Sequence, residues 1–147
     1  MSSHQMVHEL KKVGVQFSMI IVIGVLSMDC GKESIIHGGS YASENGHSLN
    51  TFYIYDFVSM EDVGKHALAS IEPDSKMTAN YYFTHNANIP SHSIQFSANI
   101  QEAKDLIGQY SINIKYAFIS DQIGTTRLVN CVDESNDILC DPRKLGM

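Results

Sequence analysis

Thr51-Phe52-Tyr53-Ile54-Tyr55-Asp56-Phe57 runs almost directly into Ser59-Met60-Glu61-Asp62, and this junction decides the fold class. The first stretch is dense in aromatic and β-branched side chains, which suit a pleated, half-buried strand. Ser59 then offers a hydroxyl as helix N-cap, and Asp62 stands three residues on, where a capping box carries Glu or Gln. Glu61 and Asp62 also place negative charge at the positive end of the helix. Met60, Val63, Ala67 and Ile71 recur at helical spacing, and Pro73 closes the element. A strand followed at once by a helix makes this a mixed chain.

Toward the C-terminus, residues 79–85, through Tyr81, Tyr82 and Phe83, read as a second strand. Residues 86–90 are a loop, and residues 93–96 a short edge strand. Asn99 caps a second helix, with Glu102 three residues on and Ile100, Ala103, Leu106, Ile107 and Tyr110 on one apolar face. Residues 112–120 form a long third strand, 121–124 a turn and 125–132 a returning fourth strand. The order β-α-β-(β)-α-β-β predicts an α+β two-layer sandwich, a mixed sheet of four to five strands with two helices on one face. Parallel strands would make its two β-α-β steps right-handed crossovers, and the last two strands pair as a hairpin. Tyr53, Tyr55, Tyr82 and Ala117 are expected on the open sheet face. There Tyr53, Tyr55 and Tyr82 are candidates for a binding platform, because Tyr offers contact area at little entropic cost. The same rings serve equally as core or cover.

Toward the N-terminus, Gly38-Gly39-Ser40 and Ser43-Glu44-Asn45-Gly46 are polar and glycine-rich, so residues 30–50 read as a flexible tether. Gly38-Gly39 lacks the Gly-Lys-Ser/Thr element of a phosphate loop. Upstream, Lys11-Lys12 precede an uncharged apolar run over residues 13–28, followed by Asp29-Cys30. A transmembrane helix needs about 20 apolar residues, whereas the hydrophobic region of a signal peptide needs about 7–15. The run fits the second better. Its Ile and Val content also allows a buried strand, although strands usually span about 5–6 residues.

The segment resembles the signal of bacterial exported lipoproteins, in which a cysteine becomes the acylated first residue. Cys30 matches that cysteine, and Gly31-Lys32-Glu33 matches the polar tether after it. Ser27-Met28-Asp29 occupies the cleavage box, with Asp29 where the signal carries a small neutral residue. The resemblance implies lipidation at Cys30, a membrane contact through the N-terminal anchor, and export to the bacterial envelope, periplasm-facing or at the surface, or secretion. The domain boundaries are then 1–29 for signal peptide or anchor, 30–50 for the tether and 51–147 for a single α+β domain.

The chain carries 16 acids and 10 bases, a formal charge of −6. An acidic body argues against nucleic acid, whose phosphates need a basic face. Of the three cysteines, Cys131 and Cys140 bracket a polar loop that could bring them together as a disulfide, worth about 2.7 kcal/mol in the chain-entropy picture. An oxidising compartment would allow it, and reduced thiols in a cytosolic protein are the alternative. No Cys-x-x-Cys, His-Glu-x-x-His or Gly-x-Ser-x-Gly occurs. No catalytic residue, metal or cofactor is therefore expected. His85 and His92, flanking a Pro-containing loop, are weak metal candidates.

Three functional readings follow. The first is a small envelope-associated or secreted lipoprotein whose domain binds a protein or small molecule without catalysis. The second is a small enzyme or metal-binding protein with a site at the strand ends, near His85, His92 and Asp56. The third is a cytosolic structural or dimerising domain with residues 13–28 in its core.

Overall fold

A computed structural model describes Ser34–Met147, which form one compact unit. Five strands make one mixed sheet in the order β1-β2-β3-β4-β5: β1 (Ile35–Ala42), β2 (His47–Ile54), β3 (Met77–Thr84), β4 (Ile114–Asp121) and β5 (Thr126–Asn130). Helix α1 (Met60–Ala69) links β2 to β3, the one parallel pair. Helices α2 (Ser91–Gln95) and α3 (Ile100–Gly108) link β3 to β4, which are antiparallel. The chain is α+β with a mixed five-stranded sheet, as the order of its elements predicts.

Central β3 sets how the layers stack. All six residues from Thr78 to Phe83 are buried, so both faces of this strand need cover. Strand side chains alternate between faces, and the pairs Phe52↔Tyr82 and Tyr53↔Phe83 fix which residues share one. Phe52, Ile54, Tyr82 and Phe118 form one cluster with Val63 and Ala67 of α1. Leu49, Ala79, Tyr81, Phe83 and Ala117 form the other, with Ile94 of α2 and Ala103 and Ile107 of α3. The helices thus divide between the two faces rather than sharing one. Full burial of Phe83, Ile54 and Ile107 contributes about 1.5–3 kcal/mol each.

The helix caps follow the local sequence. Ser59 Oγ accepts from Asp62 N–H at 3.1 Å, and Asp62 Oδ2 accepts from Ser59 N–H at 3.4 Å. Asn99 Oδ1 accepts from Glu102 N–H at 2.9 Å. Lys104 of α3 is buried, and its Nζ donates to the Leu145 carbonyl at 2.6 Å, tying the C-terminal segment onto the helix.

Three further expectations are corrected. The tether expected over residues 30–50 is, from Ile35 onward, the β1–β2 hairpin, turning through Ser43–Gly46 with Gly46 at φ 82°. The domain thus begins well before residue 51. The glycines are there for space and conformation. A side chain on Gly38 would begin 2.9 Å from Thr51 Oγ1, and one on Gly39 2.9 Å from the Ser91 carbonyl oxygen. Gly39 also has φ 151° and sits at the register shift between His37 and Gly39. The edge strand expected over 93–96 is the helix α2, which seats Ile94 in the core. The second β-α-β step is not parallel, because β4 returns antiparallel to β3. The acylation candidate Cys30 and the apolar run 13–28 lie outside the described residues.

Candidate functional site

The three tyrosines do not form one platform. Tyr53 lies on the α2/α3 face, where its hydroxyl accepts from Ile89 N–H at 3.2 Å. Tyr82 is fully buried on the opposite face beneath α1. Ala117 is also buried, on the α2/α3 side. Strand alternation and two-sided burial of the sheet leave no broad open face for them. Tyr55 just beyond β2 remains partly accessible. Its ring stacks on His85 at 5.0 Å and on the exposed Phe57 at 5.7 Å between centroids. Beside this stack Asp56 pairs with Lys115 Nζ at 3.3 Å.

His92 lies instead on α2 against Phe96, with ring centroids 4.6 Å apart. The two histidines therefore engage different aromatic neighbours. Among the described residues no group of three or more His, Cys, Asp or Glu is placed to hold a metal ion. Cys131 and Cys140 form a disulfide, with Cα atoms 5.6 Å apart, closing the loop after β5.

A polar chain runs through the α1-covered face of the sheet, and its members carry no familiar motif. His66 of α1 packs edge-on against Phe52, centroids 4.6 Å apart, and its Nδ1 lies 2.9 Å from the Tyr82 hydroxyl. Burial pushes the imidazole below its usual pKa. Burial also pushes the Tyr82 phenol up to about 12, against a lowering by the Asn80 amide. Both groups are thus held neutral near pH 7. Asn80 is fully buried, and its Nδ2 reaches Ser70 Oγ at 2.7 Å and Tyr82 Oη at 3.4 Å. Asn50 Nδ2 donates to Asn80 Oδ1 at 2.8 Å, and Ser48 Oγ reaches Asn50 Oδ1 at 3.5 Å.

Donor balance fixes the polarity of this chain. The Ser70 hydroxyl donates to the Ala67 carbonyl at 2.8 Å, so it must accept from Asn80. The Asn80 atom facing Ser70 is therefore the amide nitrogen. The Asn80 oxygen then faces Asn50, which must answer with its own nitrogen. Asn50 is left turning its carbonyl oxygen toward Ser48. At the other end Tyr82 receives from Asn80 and shares a hydrogen bond with His66 Nδ1.

The Asn50 end opens into a cleft of about 390 Å³ between the β1–β2 hairpin and the loop after α1. Ser48 and Asn50 line it beside Ser40, His47, Glu72 and Asp74. Asn80 sits amid an apolar strand, and that was the available signal, because a buried amide must find partners. Glu72 and Asp74 lie in an ordinary polar loop and gave none. A second cleft of about 400 Å³ lies against the disulfide, with exposed Ile112 and Val132 in its lining.

The fold and these sites define an α+β domain with a cleft, lined in part by Ser48, Asn50, Glu72 and Asp74, at one end of a buried hydrogen-bond chain. Comparison with protein-family models, curated proteins and solved structures finds no match for the chain.

Proposed function

We propose that the chain is a small exported protein, held at the bacterial envelope through a lipid on Cys30 or secreted, whose α+β domain is a non-catalytic binding module. The observation that carries the export half is the Cys131–Cys140 disulfide. Such bonds persist in oxidising compartments and are rare in reducing cytosol. The N-terminal resemblance around Cys30 points the same way from unrelated chemistry. Among the described residues no helix is long and apolar enough to cross a membrane, so attachment in this reading falls to the N-terminal segment. The binding half rests on the cleft, whose volume lies within the range typical of small-ligand sites, about 300–1,000 Å³.

Intact-mass spectrometry of the natively produced chain, with membrane fractionation, tests this. The expected species is cleaved before Cys30, carries acyl mass on it and lacks the two hydrogens of the disulfide. Cys30→Ser should leave an unacylated product lost from the membrane fraction. A Cys30→Ser protein equally membrane-bound and unprocessed would replace the lipoprotein with an uncleaved anchor. Free thiols at both Cys131 and Cys140 in the native product would remove the argument for export.

A further inference from the structure

We infer that the end of the sheet where β1 begins lies against the surface of a lipid bilayer, with the Tyr55 and Phe57 rings in its headgroup region. This rests on the reading of Cys30 as acylated and names a second contact that such a chain makes with the membrane. β1 begins at Ile35, so the flexible tether expected up to residue 50 does not stand between lipid and fold. Five residue steps separate Cys30 from Ile35, and fully extended they reach at most about 18 Å. A domain held that closely must turn one of its surfaces to the bilayer. At the effective concentration set by so short a tie, even a contact too weak to hold a free domain is populated.

The end of the sheet nearest that tie is apolar. Ile35 pairs with Ile54, Ile54 with Thr84 and Phe83 with Ile114, so the start of β1, the ends of β2 and β3 and the start of β4 share it. β5 finishes there too, where Cys131 N–H donates to the Lys115 carbonyl at 2.8 Å. Just beyond these strand ends stand Phe57, Met60, Ile112 and Val132, all exposed, Phe57 by 73% and Ile112 by 92%. Tyr55 stacks on both Phe57 and His85, so these rings are ordered before any lipid arrives. Large apolar side chains gathered on one surface mark a docking site, and aromatic rings favour the membrane–water interface. The opposite end has the contrary character. Its turns carry Glu44, Glu72, Asp74 and Asp121, and among the described residues Ile123 is the one exposed large apolar side chain in them. Charge does not draw the aromatic end to lipid, since Asp56 pairs there with Lys115 and Glu61 with Lys65. The rings and the short tie make the contact.

The chain has no tryptophan, so a single introduced indole reports alone. Phe57→Trp and Ile123→Trp, both at exposed positions, are made in the natively produced full chain. Each is reconstituted into phosphatidylcholine vesicles with and without lipid brominated on its acyl chains, bromine being a contact quencher of indole. Phe57→Trp should shift its emission to the blue on reconstitution and lose most of it to the brominated lipid. Ile123→Trp should do neither, and it controls for the affinity of tryptophan itself for interfaces. Unchanged melting curves verify that neither substitution disturbs the core. Added salt should not relieve the quenching, because charge takes no part in the contact. Equal quenching of the two variants, or none of Phe57→Trp in protein that stays with the vesicles, would overturn the docking and leave acylation of Cys30 standing. A blue shift of Phe57→Trp without quenching would put a protein on this surface and overturn the lipid assignment. Intact mass of the same samples keeps the two claims apart. A chain without acyl mass on Cys30 would end the lipid-anchored reading, and the docking, which needs the short tie, would end with it.

Discussion

His66 and Tyr82 turn the buried chain into a stability sensor at both ends of the pH scale. Burial lowers the folded pKa of His66 below 6.5. The unfolded chain therefore takes up a proton there that the folded one resists, and stability falls as pH drops below about 6.5 toward the folded value. Tyr82 works oppositely: its folded pKa of about 12 stands above the ordinary 10. Its contribution is intact below pH 10 and is lost as pH rises from about 10 to about 12. Buried Tyr81 is raised too and shares that alkaline limb. Protonated His66 could only donate to the Tyr82 hydroxyl. Melting temperature measured against pH should fall between pH 7 and 5 in the wild type, and His66→Gln should flatten that limb. Tyr82→Phe should flatten part of the alkaline limb only. A His66→Gln curve parallel to wild type through pH 5 would assign the acid sensitivity elsewhere. No local pattern in the sequence marks His66, because Phe52 and Tyr82, which surround it, are distant in the chain.

The elements legible in the sequence were those whose evidence is local. Ser59 with Asp62 and Asn99 with Glu102 mark helix starts by side chains that bond within their own turn. The β2, β3 and β4 cores announce themselves by aromatic and β-branched density. β1 does not, because Ile-Ile-His-Gly-Gly-Ser-Tyr-Ala at a sheet edge has the composition of a linker, and its place depends on a distant partner. Ser91, at the start of α2, lies against Gly39. For the same reason α2, a five-residue helix with one buried side chain, Ile94, offers no period to read. Gly39→Ala tests whether that approach holds the hairpin. The substitution meets both a positive φ and a carbonyl oxygen 2.9 Å from the new Cβ. Backbone strain and displacement of α2 should together cost about 1–3 kcal/mol. Urea denaturation should show a lower midpoint with an unchanged slope. A cost within about 0.5 kcal/mol, the range of surface substitutions, would mean that β1 and α2 are free to separate.

At the scale of the molecule, the question is whether the described residues make a fold by themselves. Both sheet faces are occupied by helices within Ser34–Met147, the cores on the two sides are filled from that segment, and Lys104 anchors its last residues. The disulfide adds constraint near the C-terminus, removing unfolded-state freedom worth about 2.7 kcal/mol in the chain-entropy picture. Such a unit is expected to fold without residues 13–28. A Ser34–Met147 fragment produced under oxidising conditions should therefore be monomerically soluble and melt in one cooperative transition, and reduction should lower its melting temperature without abolishing the transition. Circular dichroism against temperature, with and without reductant, measures both. If the fragment aggregates or melts without cooperativity even when oxidised, residues 13–28 belong to the core and the case for an export signal collapses with it. If it melts cooperatively, the apolar run is free to serve as an address, and the cytosolic reading loses the strand on which it depends.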